Sequence, residues 1–143
     1  MLESLDFYQG IGLAAVQVGL ELPMFIIKHP EYMPEPNAFI NPRVISTSGK
    51  DIADEGCLSF PGLYLKLRRP QKVKLAYQTI GGKKMEREFE GILARAVMHE
   101  VDHLNGILII DHISQTQRHI IKGVLKKIAE KYGRSSDARG QKV

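Results

Sequence analysis

Residues 92 to 106 read ILARAVMHEVDHLNG, and no other stretch constrains the fold as strongly. Ile92, Ala96, His99 and His103 fall at i, i+4, i+7 and i+11, one face of an α-helix, and Asn105–Gly106 suits its stop. Residues four apart lie roughly 400° round, about 40° from each other, so the two imidazoles share that face. The helix is otherwise apolar, which predicts a central and buried position. Two imidazoles and the carboxylates of Glu100 and Asp102 are costly there unless something satisfies them. A metal ion would do so, because imidazoles at this spacing can hold one cation at ~2.0–2.1 Å per nitrogen. Glu100, on the flank of the face, can take a proton from a water on the ion without filling a coordination site. The bland alternative is a helix that carries two histidines by accident. Burial of four polar groups weighs against it.

At 143 residues, 43% of them hydrophobic, the chain can supply one real core. No apolar run approaches the ~20 residues that span a bilayer. The opening MLESLDFYQG lacks the basic region and apolar core of a secretory signal. These features predict an intracellular protein with no membrane partner, either cytoplasmic or imported into an organelle. Cys57 is the single cysteine, so no intrachain disulfide is expected; such a residue is commonly a small buried hydrophobe. The net charge of +4 is uneven: residues 115–143 hold eight Lys or Arg against Glu130 and Asp137, a segment of +6 on a body of −2.

Along the chain, residues 1–9 read as the end of a helix that Gly10-Ile11-Gly12 breaks. PMFIIKH (23–29) and NAFINPRVI (37–45) are strand-like, punctuated by Pro30, Pro34, Pro36 and Pro42. GLYLKLRRP and KVKLAYQT alternate apolar and polar residues as half-buried strands do, and IGGKK turns residues 72–90 into a hairpin. After the central helix, ILIIDHIS (107–114) reads as a short buried strand. Ile113, Ile120, Ile121, Val124, Leu125 and Ile128 then mark an amphipathic C-terminal helix with lysines on its outer face. The expected fold is α+β, with short strands packed round the central helix in one domain over 1–132 and a disordered basic tail over 133–143.

A catalytic metal needs a third protein ligand and an open position. A thermolysin-like peptidase takes a glutamate from a later helix, but only Asp111, Glu130 and Asp137 follow His103, and Glu130 lies in the basic segment. An extended zincin pattern needs a histidine where Ile109 stands. Upstream, Cys57 sits in DEGCLSFPG between glycines, and as a thiolate it would give a Cys-His-His site.

GIGLAAVQ at 10–17, EGCLS at 55–59 and HEVDH at 99–103 stand in the order and spacing of peptide deformylase, and the chain resembles that family from about residue 1 to 128. Members remove the formyl group from the N-terminal methionine of new bacterial and organellar proteins. They generally carry further residues before this point, so the chain reads as an N-terminally short member. The resemblance implies antiparallel sheets around the histidine-bearing helix. It makes Cys57, His99 and His103 the ligands of one divalent ion, generally Fe²⁺, with Zn²⁺ or Ni²⁺ also accepted. Glu100 becomes the general acid and base, and Gln17 with the backbone N–H of Leu58 stabilises the oxyanion on the formyl group.

GIGLAA also fits a dinucleotide fingerprint, but that needs a strand before it and a helix after it in a βαβ unit, and the order here is wrong. A tight turn packed on a helix is the plainer alternative. By resemblance the loop lies beside the metal, where an extended peptide can add to exposed backbone. Ile11, Gly12 and Gly56 would then meet the substrate main chain, and Ile92 and Ala96 would line the methionine pocket or serve only as core. Glu55 and Arg69 read as structural partners of the site, with Asp102 pairing to Arg69. Two rivals stand beside the deformylase reading: a deformylase-like protein of weak or no turnover, and a ribosome- or RNA-binding module that works through the basic C-terminal helix.

Overall fold

The structure is a computed structural model that describes Met1, residues 11–57 and residues 60–138, with side chains as far as Lys131. The helix expected at the N-terminus, the Leu58 donor and the last residues of the tail lie outside the described residues. Among the described residues the strands are β1 (Gly12–Ala14), β2 (Met24–His29), β3 (Met33–Ser48), β4 (Asp51–Cys57), β5 (Phe60–Arg69), β6 (Lys72–Gln78) and β7 (Lys84–Glu90). The described α-helices are α1 (Ile92–Leu104), α2 (Gln115–Ile120) and α3 (Lys122–Ala138). Short 3-10 turns cover Ala15–Val18 and Ile109–His112.

The chain gathers into two compact units: residues 1–52 with 68–107, and residues 53–67 with 108–143. In the first, five strands run in the order β1-β2-β3-β6-β7, every pairing antiparallel. Alternation puts Val73, Leu75 and Tyr77 of β6 and Phe89 of β7 on the inner face. There Phe39 stacks against Phe25 at 5.0 Å between ring centroids and meets Tyr77 and Phe89 at 4.7 and 5.7 Å. Ala94 and Val97 of α1 close this core. The α+β class, the antiparallel sheet and the buried central helix agree with the sequence. So does the hairpin of β6 and β7, whose turn is tied by Thr79 and Lys83 around Gly82 at φ 86°.

Other expectations need correction. The prolines do not interrupt β3, which runs sixteen residues through Pro34, Pro36 and Pro42. Its register slips against β2 beyond Ile27 and against β6 between Ile40 and Arg43, and a proline is tolerated where a ladder bond is already missing. Asn41, at φ 50°, takes the left-handed conformation at the second slip. Gly12 opens a strand, not a turn, and β1 is antiparallel to β2, which removes the βαβ reading.

In the second unit, Phe60, Leu63, Leu65 and Leu67 of β5 form a small core with Ile109 and Ile128. The strand expected over 107–114 is a 3-10 turn: Leu108 N–H donates to the Asp111 carboxylate at 2.8 Å and closes it. A short apolar run is equally compatible with a buried turn, and here Asp111 decides. The single amphipathic helix is two. Ser114 caps α2 by accepting from Gln117 N–H, the chain breaks at Ile121 beside Gly123, and α3 continues to Ala138.

Candidate metal centre and active site

α1 carries His99, Glu100 and His103, and its ends are firmly set. Gly91 opens it at φ 62°, donating its N–H to the Gln71 carbonyl while its own carbonyl accepts from Arg95 N–H. At the far end Asn105 and Gly106 stop the helix, and Ile107 N–H returns to the Asp102 carbonyl. Between these ends His99 and His103 are buried, with Nε2 atoms 3.1 Å apart and ring planes at 58°. Two bonds of ~2.0–2.1 Å at a tetrahedral angle span roughly 3.3 Å, so this pair fits the edge of a four-coordinate site.

Cys57, half-buried, ends β4. Among the described residues it forms with His99 and His103 the one group of three metal-capable side chains, their ligand atoms within 4.8 Å of one another. A thiolate with two imidazoles suits a borderline-soft divalent cation, so the donor set fits a resident metal. Glu100 is 3% exposed, with a carboxylate oxygen 4.0 Å from His99 Nε2. The other acid of the motif is engaged differently: Asp102 accepts from Arg69 at 2.6 Å in a buried ion pair, as the sequence suggested.

β1 lies against Glu100. A Cβ on Gly12 would stand 2.9 Å from Glu100 Cγ and 3.0 Å from its Oε1, so only glycine allows this approach. Gln17 follows in the 3-10 turn, and its Oε1 accepts from Ala14 N–H at 2.8 Å. That bond fixes the orientation of the amide, so its NH₂ end is the donor. The Ile11 carbonyl is taken by Lys28 N–H at 2.8 Å, which extends the β1–β2 pairing. Among the described residues β1 is a margin of its sheet.

The expected pocket residues separate. Ala96 is half-buried against the sheet core, while Ile92, 41% exposed, stands at the helix entrance. Gly56 lies under the ring of Tyr64. Sequence reasoning missed two residues. Arg95, buried on α1, donates to the Asp51 carbonyl at 2.8 Å and meets its carboxylate at 3.3 Å, tying α1 to the start of β4. Tyr64 is the other. Neither lies at a spacing that a linear motif would expose.

A half-buried cysteine with two buried histidines able to hold a metal, and a glutamate beside them on an antiparallel α+β scaffold, is the donor chemistry of a metal-dependent hydrolase. The comparisons narrow the class. The family profile for polypeptide deformylase matches residues 1–119. The peptide deformylase of Mesorhizobium japonicum is 41% identical over 133 residues, covering 91% of this chain and 76% of that protein. That of Thermotoga neapolitana is 42% identical over 131 residues, covering 91% and 78%. The crystal structure of a Legionella pneumophila peptide deformylase aligns with a TM-score of 0.85 at 34% identity, over 94% of this chain and 79% of that one. The chain belongs to the polypeptide deformylase family. It is an enzyme that removes the formyl group from N-formylmethionyl peptides, and the family is metal-dependent. No helix among the described residues is long and apolar enough to cross a membrane.

Proposed function

We propose that Cys57, His99 and His103 hold one divalent ion, with Fe²⁺ the native one and Zn²⁺ or Ni²⁺ able to replace it, and that Glu100 carries the protons of the hydrolysis. The observation behind this reading is the imidazole pair, 3.1 Å apart and buried beside a buried carboxylate. A bound cation supplies Lewis acidity that makes water nucleophilic near neutral pH. Glu100 accepts the proton of that water at a carboxylate oxygen, and the same oxygen returns it to the leaving nitrogen, so that formate and a free N-terminus depart. The NH₂ of Gln17 and the N–H of Leu58 donate to the oxygen on which charge develops. Such donors are each worth roughly 3–4 kcal/mol in a transition state because they act in a dry site.

The formylated peptide is held extended. Its main chain lies along β1, meeting Ile11 and Gly12, with Gly56 across from it, as a strand adds to a sheet margin. Its methionine side chain rests against Ala96, with Ile92 at the rim. A formylated nascent chain places the enzyme where such chains are made, in the bacterial cytoplasm or in an organelle. The α2–α3 segment is a contact for the ribosome: Ile120 and Val124 are exposed among Arg118, Lys122, Lys126 and Lys127, a surface suited to RNA phosphate.

Formate release from formyl-Met-Ala-Ser, measured anaerobically with Fe²⁺ beside Glu100→Ala and Cys57→Ser, tests the assignment. Turnover in the parent, lost in both variants, is expected. A parent that retains metal but releases no formate would mark a protein of the same fold without useful turnover.

A further inference from the structure

β4 and β5 pair in a two-stranded sheet, and strand alternation sorts their side chains onto two faces. Leu63 and Leu65 of β5 are buried while Tyr64 and Lys66 between them are exposed. Along β4, Glu55 is buried and Asp54 exposed; Gly56 shares the face of Asp54 and Cys57 that of Glu55. Tyr64 is 71% exposed, yet its ring is seated. A Cβ on Gly56 would lie 2.7 Å from Tyr64 Cε1 and 3.0 Å from its Cδ1, so the ring fills the volume that a side chain at 56 would need. An aromatic laid on a strand glycine supplies the packing which that glycine lacks. The glycine covered in this way is bonded directly to Cys57.

We infer that Tyr64 is a positioning residue for the metal: its ring, seated on Gly56, holds the end of β4 in the conformation that aims the Cys57 thiolate. This rests on Cys57 being a ligand. Glycine has the freest backbone of any residue, and here it stands immediately before a ligand whose sulfur must be aimed to within a fraction of an ångström. The ring restrains that freedom from outside the donor set, as outer residues commonly do for metal ligands. The role belongs to the ring and not to the hydroxyl.

The test uses the full chain loaded with Co²⁺, following the thiolate-to-cobalt charge-transfer band and the rate of metal release to a chelator. Tyr64→Ala is expected to release metal about ten to a hundred times faster with a weaker band, while Tyr64→Phe matches the parent. Gly56→Ala is also expected to release faster, because its methyl displaces the ring. The double variant Gly56→Ala/Tyr64→Ala is expected to be slower than Gly56→Ala alone, since the methyl then has room. Melting of the metal-free proteins separates lost aim from lost fold, and Tyr64→Leu is read instead if Tyr64→Ala does not fold. Release from Tyr64→Ala at the parent rate overturns the inference, as do single defects that simply multiply in the double variant. A parent with no charge-transfer band overturns the Cys57 assignment itself.

Discussion

Two carboxylates two residues apart on α1 have been given different work by their neighbours. Asp102 is consumed by Arg69, whereas Glu100 faces Gly12 and sits 4.0 Å from His99 Nε2. Glu100→Ala is therefore expected to lower kcat about 10²–10⁴-fold, the usual range for a general acid or base, with metal content unchanged by elemental analysis. Gly12→Ala acts on the same group indirectly. Its methyl would collide with Glu100 Cγ, so kcat should fall while peptide hydrolysis by Glu100→Ala, already low, changes little on adding it. Gln17→Leu removes the oriented NH₂ donor but keeps the bulk. A loss of about 10²–10³ in kcat with little change in KM is expected; a change in KM alone would place Gln17 in ground-state binding instead.

At the scale of elements, α1 is set by its ends and by two arginines. Arg69, on β5, holds Asp102 in a buried pair, and Arg95, on the helix itself, holds Asp51 at the start of β4. Removing one partner of a buried pair leaves the other charge stranded, so Arg69→Met or Asp102→Leu alone should each cost roughly 3–5 kcal/mol in urea unfolding. Replacing both by apolar residues should cost clearly less than the two losses added together. Equal, additive losses would show that the pair does not act as a unit. Arg95→Met is expected to be milder, since Asp51 is 44% exposed at its side chain and water can replace the guanidinium there.

For the whole molecule, one proposed ligand, Cys57, lies more than forty residues before the other two, so a bound cation would cross-link distant stretches of the chain. Ion binding to the native state alone raises stability by mass action. Removing the metal with a chelator should therefore lower both Tm and formate release, and restoring Fe²⁺ or Zn²⁺ should recover both. Cys57→Ser should show a smaller recovery of Tm at the same ion concentration. A Tm indifferent to chelation would argue that the donors do not hold a structural share of the metal. At this scale the basic C-terminal segment is also testable: ribosome binding should weaken as salt rises and should weaken further in Lys122→Glu/Lys126→Glu, with deformylation of short peptides unaffected.

The linear sequence determined whatever depends on local period and spacing. Histidines four apart must share a helix face, alternating residues must make half-buried strands, and the three short motifs carried the family and its metal donors. Where the chemistry was local the reading held, as at the helix stop Asn105–Gly106, and charge complementarity also foresaw the Arg69–Asp102 pair across 33 residues. It failed where a partner, on another strand or three residues along, chose between alternatives that the hydrophobic pattern left equal. Prolines in β3 are accommodated because the register slips against β2 and β6, ILIIDHIS turns because Asp111 captures the Leu108 amide, and the amphipathic run divides at Ile121. Only tertiary packing could reveal why Gly12 and Gly56 must be glycine. Their neighbours, Glu100 and Tyr64, are 88 and eight residues away, and a missing side chain has meaning only once something else occupies its place.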